Sequence, residues 1–148
     1  MSNKILLVDD SITIRKLYRS YFEELTCNVI EAINGREAIT ILLQPQHSDV
    51  DLILLDKEMP TMDGFSFLIY AKANRLLSHI PIVILTAHGG GATLTRALNL
   101  GASGFLEKSL QSCTELNWVH DLACKTRLSR ESKQQPAPLV TDLLENGG

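Results

Sequence analysis

The chain has 148 residues and a formal net charge of −3 at pH 7, and 45% of its residues are hydrophobic. This length fits one domain rather than two, and the hydrophobic share excludes a wholly disordered chain. Because the net charge is slightly negative, no bulk basic field supports direct binding to nucleic acid or to an anionic membrane.

Five short runs rich in aliphatic residues alternate with segments of helical pattern. The runs are Lys4–Val8, Asn28–Ala32, Asp51–Leu55, Ile80–Leu85 and Ser103–Glu107. Continuous apolar runs are typical of strands that are buried on both faces of a sheet. Five successive β-then-α units therefore predict an α/β fold with a parallel sheet and helices on both of its faces.

The helical segments are marked by an apolar stripe or by residues that commonly cap helices. A stripe from Ile14 to Leu25 predicts the first helix. Gly101 is well placed to end the short fourth helix. The other three helices are predicted to begin at capping side chains, namely Asn34, Asp63 and either Ser112 or Thr114.

The C-terminal part of the chain differs in composition from the rest. Glu131–Pro138 is polar and contains two prolines, which is typical of a linker. Leu139–Glu145 is too short to persist as an isolated helix. We therefore assign residues 1–129 to one folded domain and residues 130–148 to a polar, proline-containing linker or tail.

Polar side chains follow four of the five predicted strands. Asp9 and Asp10 follow the first strand, Asp56 the third, Thr86 the fourth and Lys108 the fifth. Ligands of open α/β sheets bind outside the carboxyl ends of the strands, so we expect these five side chains to converge. Any one of them alone could be a solvated loop residue, but their coincidence at four strand ends favours a site.

The chemistry of this set points to phosphoryl transfer. Three carboxylates with no histidine or cysteine select a hard cation, Mg²⁺ or Mn²⁺. Without a cation the carboxylates repel one another, which raises at least one pKa. A carboxylate can attack phosphorus and form an acyl phosphate, while the hydroxyl of Thr86 and the ammonium of Lys108 can hold phosphoryl oxygens.

The motifs around these residues resemble the receiver domain of two-component response regulators, over about residues 3–128. The motifs are Leu6–Ser11, Leu54–Gly64, Ile82–Ala87 and Gly101–Lys108. The resemblance implies the flavodoxin-like, doubly wound (βα)5 fold of the chemotaxis regulator, with a five-stranded parallel sheet. It also implies that Asp56 is the phospho-acceptor, and that Asp9, Asp10, Asp56 and the backbone carbonyl of Glu58 bind the metal ion.

The resemblance further assigns the switch and its partners. Thr86 and Lys108 are expected to contact the phosphoryl group, and Thr86 and Phe105 to act as the switch, although Phe105 could also be a plain core residue. The donor would be a histidine kinase or a phosphotransfer protein. The fourth helix, fifth strand and fifth helix would bind a downstream protein and could also support a homodimer. Because the domain catalyses only its own phosphorylation and dephosphorylation, we expect a switch rather than an enzyme.

Two departures from the family pattern lie next to the reacting residues. Ser109 follows Lys108 where a proline after a cis peptide bond is usual, which predicts a trans peptide or a rearranged loop. Lys57 stands where an aliphatic residue is usual. Its charge either faces solvent or biases the binding of the metal ion and the phosphodonor.

Two further features concern the lifetime and transmission of the active state. Glu58 and His88 each lie two residues beyond a site residue, at positions that tune loss of the phosphoryl group in this family. Gly89–Gly91 lacks the Gly-Lys-Ser/Thr ending of a phosphate-binding loop. These glycines are therefore interpreted as making the loop after the fourth strand unusually mobile.

Two other classes of function remain open at this point. An aspartyl-nucleophile phosphatase of the haloacid-dehalogenase type would need a second aspartate at the position of Ser11 and a capping insertion. A phosphorylation-independent interaction module is compatible with Ser109. The tail is too short for an output domain, so the chain either docks onto a downstream protein or belongs to a longer chain whose output domain is missing.

Cysteine content and hydropathy give the expected location. Three scattered cysteines, Cys27, Cys113 and Cys124, favour neither a disulfide framework nor a zinc site. No apolar run approaches the roughly 18 residues of a membrane span, and the N-terminus lacks the pattern of a signal peptide. We therefore expect a cytoplasmic protein.

Overall fold

A computed structural model describes residues 2–109 and 113–134 and contains one five-stranded parallel sheet in the order β2-β1-β3-β4-β5. The strands are β1 (Lys4–Val8), β2 (Asn28–Ala32), β3 (Leu52–Asp56), β4 (Ile82–Thr86) and β5 (Gly104–Glu107). The helices are α1 (Ile12–Glu24), α2 (Gly35–Leu42), α3 (Gly64–Ala73), α4 (Gly91–Asn99) and α5 (Asn117–Gln134). The predicted α/β fold is confirmed.

The sheet is buried on both faces because successive side chains of each strand enter different cores. Ile5 and Leu7 of β1 belong to the core that contains residues of α1 and α5. Leu6 and Val8 belong to the core that contains residues of α2, α3 and α4. All four side chains are fully buried, which explains why the strand has no alternation of polar and apolar residues.

The helices begin and end largely where the capping residues predict. The side chain of Asn34 accepts a hydrogen bond from the backbone N–H of Glu37, and Asp63 accepts one from Ser66. Gly101, with φ of 101°, lies just beyond the end of α4. The prediction for the last helix is wrong at its start, because a 3-10 turn over Thr114–Leu116 precedes α5. Ser112, the alternative start, lies outside the described residues.

The longest described helix, α5, continues past the predicted end of the domain. Residues 131–134, which their composition assigns to a linker, are helical. Two contacts explain the extension: Arg127 pairs with Glu131 one turn later, and Arg130 pairs with the buried Asp51 at 2.6 Å. The remainder of the predicted linker and tail lies outside the described residues. None of the helices described is both long and apolar enough to cross a membrane.

Candidate functional site

The three predicted carboxylates come together at the carboxyl edge of the sheet. Carboxylate oxygens of Asp9, Asp10 and Asp56 all lie within 4.8 Å of one another. They meet because β1 and β3 are neighbours in the sheet, with Val8 beside Leu55, so both strands end at the same level. Asp9 and Asp56 are buried, whereas Asp10 is exposed. We call this cluster of Asp9, Asp10 and Asp56 the acidic pocket.

Lys108 joins the pocket from the end of β5. Its Nζ lies 2.8 Å from Oδ2 of Asp9 and 3.0 Å from Oδ1 of Asp56. Burial lowers the pKa of Lys108, but the two carboxylates outweigh burial and leave the pKa above its ordinary value. Lys108 therefore stays protonated and neutralises part of the carboxylate charge.

The Lys108–Ser109 peptide is trans, as predicted from the missing proline, since the described residues contain no cis peptide bond. The backbone N–H of Ser109 donates to the hydroxyl of Tyr18 at 3.3 Å. Lys108 reaches both carboxylates with this backbone. Replacement of the usual proline by serine is therefore compatible with a complete site.

Asp56 combines burial with an unused oxygen. Burial, and then the charge of Asp9, raise the pKa of Asp56 to about 6, against the opposing effects of Lys108 and the Glu58 N–H. That N–H donates to Oδ1 at 3.2 Å. Oδ2 is buried and has no hydrogen-bond partner among the described residues. A carboxyl group with one buried, unpartnered oxygen suits a nucleophile or a metal ligand.

Thr86 is buried at the end of β4, next to the acidic pocket, but its hydroxyl is engaged with its own loop. The hydroxyl donates to the backbone carbonyl of His88 at 3.1 Å and accepts from the His88 N–H at 3.2 Å. The imidazole of His88 is exposed. The backbone of His88, rather than its ring, is thus the partner of the predicted switch residue.

Lys57 does not simply point into solvent. Its Nζ lies 5.8 Å from the ring centre of Phe65 and 3.9 Å from Oε1 of Glu58. Arg96 of α4 stacks on the same ring, with Cζ 4.7 Å from the ring centre. Sequence reasoning missed Arg96 because nothing in the local pattern around α4 shows that it meets Phe65 of α3.

Gly64 was also missed as a site residue, although the Asp63-Gly64 pair marked the start of α3. A Cβ atom at Gly64 would lie 2.5 Å from the backbone oxygen of Asp56 and 2.8 Å from Cα of Lys57. The Gly64 N–H donates to the Lys57 carbonyl at 2.9 Å. Only glycine allows α3 to begin this close to the backbone of Asp56 and Lys57.

The acidic pocket fits a hard divalent cation. Its three carboxylates offer only oxygen ligands, and Oδ2 of Asp56 is a buried acceptor without a hydrogen-bond partner in the described chain. The Glu58 N–H contact brings the Glu58 backbone to the pocket. The role of its carbonyl as a ligand stays a prediction.

The chain belongs to the response regulator receiver domain family, since the model of that family matches residues 5–116. Receiver domains are signalling modules of two-component systems, and accepting a phosphoryl group is typical of them. The chain is 32% identical over 137 residues to the probable transcriptional regulator ycf29 of Pyropia yezoensis, covering 93% of this chain and 60% of that protein. It spans less than two thirds of the length of the curated relatives it matches.

Solved structures agree with this chain in fold, and one of them is a Mn²⁺-bound form. The chemotaxis protein CheY4 of Vibrio cholerae is 29% identical with a TM-score of 0.68, covering 88% of this chain and 98% of that one. The Mn²⁺-bound form of the response regulator Rcp1 is 27% identical with a TM-score of 0.65, covering 84% and 89%. Receiver domains bind Mg²⁺ or Mn²⁺ at an acidic pocket, and this chain has the corresponding cluster of aspartates.

Proposed function

We propose that Asp56 accepts a phosphoryl group from a phosphohistidine of a histidine kinase or phosphotransfer protein. The observation that carries this proposal is the unpartnered Oδ2 of Asp56, which lies in a buried carboxylate that Lys108 holds through the other oxygen. Oδ2 would form the new O–P bond while the P–N bond of the donor breaks. The donor imidazole leaves with the electron pair of that bond and is protonated. Water later cleaves the acyl phosphate, which returns the carboxylate and inorganic phosphate.

Asp9, Asp10, Asp56 and the Glu58 carbonyl would hold the metal ion. When bound, Mg²⁺ or Mn²⁺ supplies positive charge that offsets the negative charge of the carboxylates and phosphoryl oxygens. The Ser11 N–H donates to Oδ1 of Asp9 at 2.8 Å, which fixes the orientation of that carboxylate. Two neighbouring elements thus present oriented oxygens before the donor arrives.

Lys108 and Thr86 are the proposed contacts of the transferred phosphoryl group. Lys108 already lies 3.0 Å from Asp56 and would move from a carboxylate oxygen to a phosphoryl oxygen as charge builds there. The hydroxyl of Thr86 has a single hydrogen, so it must release the His88 carbonyl before it can donate to the phosphoryl group. Phe105, which is half-buried on β5, would follow Thr86 inward.

The partner surface proposed for the phosphorylated state is formed by α4, β5 and α5. Leu98 is 48% exposed and Trp118 is 39% exposed on these elements, so apolar area is available for a downstream protein, an output domain or a second copy.

The domain would catalyse only its own modification. The cysteines of the described chain are free thiols, which suits the reducing cytoplasm that we propose as its location.

Glu58 and His88 are proposed to set the lifetime of the acyl phosphate. Both side chains are exposed and each lies two residues beyond a site residue, Asp56 or Thr86, from where they would alter the approach of water to phosphorus. We expect Glu58→Ala and His88→Ala each to change the rate of phosphoryl loss by about threefold or more. The measurement is intact mass against time after removal of the donor. Glu37→Ala, an exposed change on α2, is the control, and rates equal to the wild type in both variants would contradict the assignment.

Lys57 is proposed to act at the earlier step, when the metal ion and donor bind. Its ammonium lies close to Glu58 and to the Phe65 ring, and Lys57 itself directly follows Asp56 in the chain. Positive charge at this place attracts an anionic phosphodonor and opposes the binding of a cation. Lys57 would therefore favour binding of the phosphodonor and disfavour binding of the metal ion.

The proposed function is tested by incubating the purified chain with a small acyl-phosphate donor, with Mg²⁺ or with a chelator. We expect the mass of one phosphoryl group to be added in the presence of Mg²⁺ and little addition with the chelator, because the carboxylate charge then repels the donor. A phosphorylated histidine kinase or phosphotransfer protein serves as the second donor. Absence of any addition from either donor would overturn the proposal.

A further inference from the structure

The loop after β4 is held at one point by a contact that the glycine-rich sequence did not suggest. The backbone N–H of Gly89 donates to Oε1 of Glu107 at 3.1 Å. Glu107 is the last residue of β5 and lies beside Thr86 of β4 in the register of the two strands. That these glycines make the loop unusually mobile stays a prediction, and at Gly89 the loop has this one contact with β5.

This contact and the hydrogen bond of Thr86 involve the same peptide unit. The N–H that Glu107 accepts and the carbonyl that Thr86 binds both belong to the peptide between His88 and Gly89. A peptide unit is planar, so its carbonyl and its N–H turn together. The Thr86 hydroxyl therefore binds the carbonyl of this planar unit, and the Glu107 carboxylate binds its N–H.

The packing around Gly89 distinguishes it from the next two glycines. A Cβ atom at Gly89 would lie 2.6 Å from Oε1 of Glu107 and 3.1 Å from Cε1 of Phe105. A Cβ atom at Gly90 or Gly91 would meet nothing within 4 Å. Gly89 is thus the glycine at which the loop closely approaches β5 and the predicted switch residue Phe105.

We propose that Glu107 is a positioning residue. Its carboxylate accepts from the Gly89 N–H, a contact that we call the latch, and thereby keeps the hydroxyl of Thr86 hydrogen-bonded to the His88 carbonyl in the resting state. This inference rests on the proposed function, because it assigns the resting state of that switch. A carboxylate that accepts from the N–H polarises the peptide and makes its carbonyl a better acceptor for Thr86. Release of the latch frees the carbonyl and favours the arrangement in which Thr86 turns to the phosphoryl group.

The latch can be broken from either side. Glu107→Ala removes the acceptor, and Glu107→Gln keeps a neutral acceptor of the same shape. Gly89→Ala displaces the Glu107 carboxylate sterically, since that group is the flexible end of a side chain. Gly89 does not adopt the left-handed region, so alanine fits its backbone. Gly90→Ala and Gly91→Ala are the matched controls, because they make the same change where space is open.

The direct test is hydrogen exchange of the residue-89 amide in the unphosphorylated full chain, followed by NMR and expressed relative to the intrinsic rate of an unprotected amide in the same sequence. We expect exchange to become about 5- to 10-fold faster in Glu107→Ala and Gly89→Ala, as loss of one hydrogen bond to a charged group allows. Glu107→Gln should restore most of the protection, and the two control variants should match the wild type. Wild-type exchange in Glu107→Ala would overturn the latch.

The second test measures phosphorylation by the small acyl-phosphate donor with Mg²⁺. The same two latch-breaking variants should be phosphorylated about threefold faster or more, because less energy is needed to release Thr86, with Glu107→Gln close to the wild type. An unchanged or lower rate would overturn the coupling to Thr86. If no variant and no wild-type protein is phosphorylated, the proposed function fails, whereas the exchange experiment still decides whether the latch exists.

Discussion

Replacement of Asp56 by asparagine should abolish phosphorylation by both kinds of donor. Asparagine keeps the size of the side chain and an oxygen that can accept from the Glu58 N–H, but it removes the nucleophilic charge. The neighbouring Asp9, Asp10 and Lys108 remain, so any phosphoryl addition that depends on one of them alone would persist. Intact mass after incubation with donor and Mg²⁺ gives the readout, and no addition is expected.

The stability of the Asp56→Asn variant separates loss of chemistry from loss of fold. In the wild type, burial and the charge of Asp9 disfavour the ionised carboxylate, which is why the pKa rises to about 6. We therefore expect the free energy of unfolding of the metal-free variant at pH 7 to exceed that of the wild type by about 1 kcal/mol. Asp63→Asn is the matched control, because asparagine caps α3 as well as aspartate does. It should keep phosphorylation, and loss of phosphorylation there would contradict the assignment of Asp56.

Replacement of Lys108 by alanine should affect both stability and rate. Lys108 is 16% exposed and pairs with two carboxylates that are 0% and 3% exposed. Removing it leaves two buried like charges, so the free energy of unfolding should fall by about 2–4 kcal/mol in chelator at pH 7. Loss of a charge that stabilises the transferring phosphoryl group should slow phosphorylation by about 10²-fold. Chemical denaturation and the initial rate of mass addition measure the two effects.

The controls for Lys108→Ala test the charge argument itself. Mg²⁺ should stabilise this variant more than the wild type, because a bound cation replaces the missing ammonium. Adding Asp56→Asn to Lys108→Ala should recover part of the stability, since one of the two unpaired charges disappears. Lys125→Ala, an exposed change on α5, should alter stability by less than about 0.5 kcal/mol. A Lys108→Ala variant as stable as the wild type in chelator would contradict the electrostatic account of the pocket.

Much of the fold could be predicted from the sequence because local signals and tertiary structure agree. The central strands β1, β3 and β4 are apolar except at one end residue each, as a sheet covered on both faces requires. Asn34 and Asp63 cap α2 and α3 through their side chains. The bounds of β3 and β4 moved by one or two residues, because backbone pairing carries Asp56 and Thr86 into the strands. The extension of α5 depends on Arg130 reaching Asp51, a contact between residues far apart in the chain.

Some features of the site could likewise be predicted from the sequence, and others could not. The convergence of Asp9, Asp10 and Asp56 follows from strand order and the carboxyl ends of parallel strands, so it was predictable. The resting hydrogen bond of Thr86 is local, because its hydroxyl binds the backbone of His88 two residues away, but no sequence motif indicates that the hydroxyl takes this partner. Glu107 was equally unpredictable, because its contact with Gly89 joins the end of β5 to the loop after β4, 18 residues away in the chain. Motifs identify the reacting groups, whereas the resting contacts of the switch depend on packing.

The central claim is tested most directly by locating the acyl phosphate on the chain. After brief phosphorylation with Mg²⁺, borohydride reduces an aspartyl phosphate to homoserine, and peptide mass spectrometry identifies the converted residue. The account predicts homoserine at residue 56 in the wild type and none in Asp56→Asn. Homoserine at Asp9 or Asp10, or a phosphorylated chain in which residue 56 remains unconverted, would contradict it.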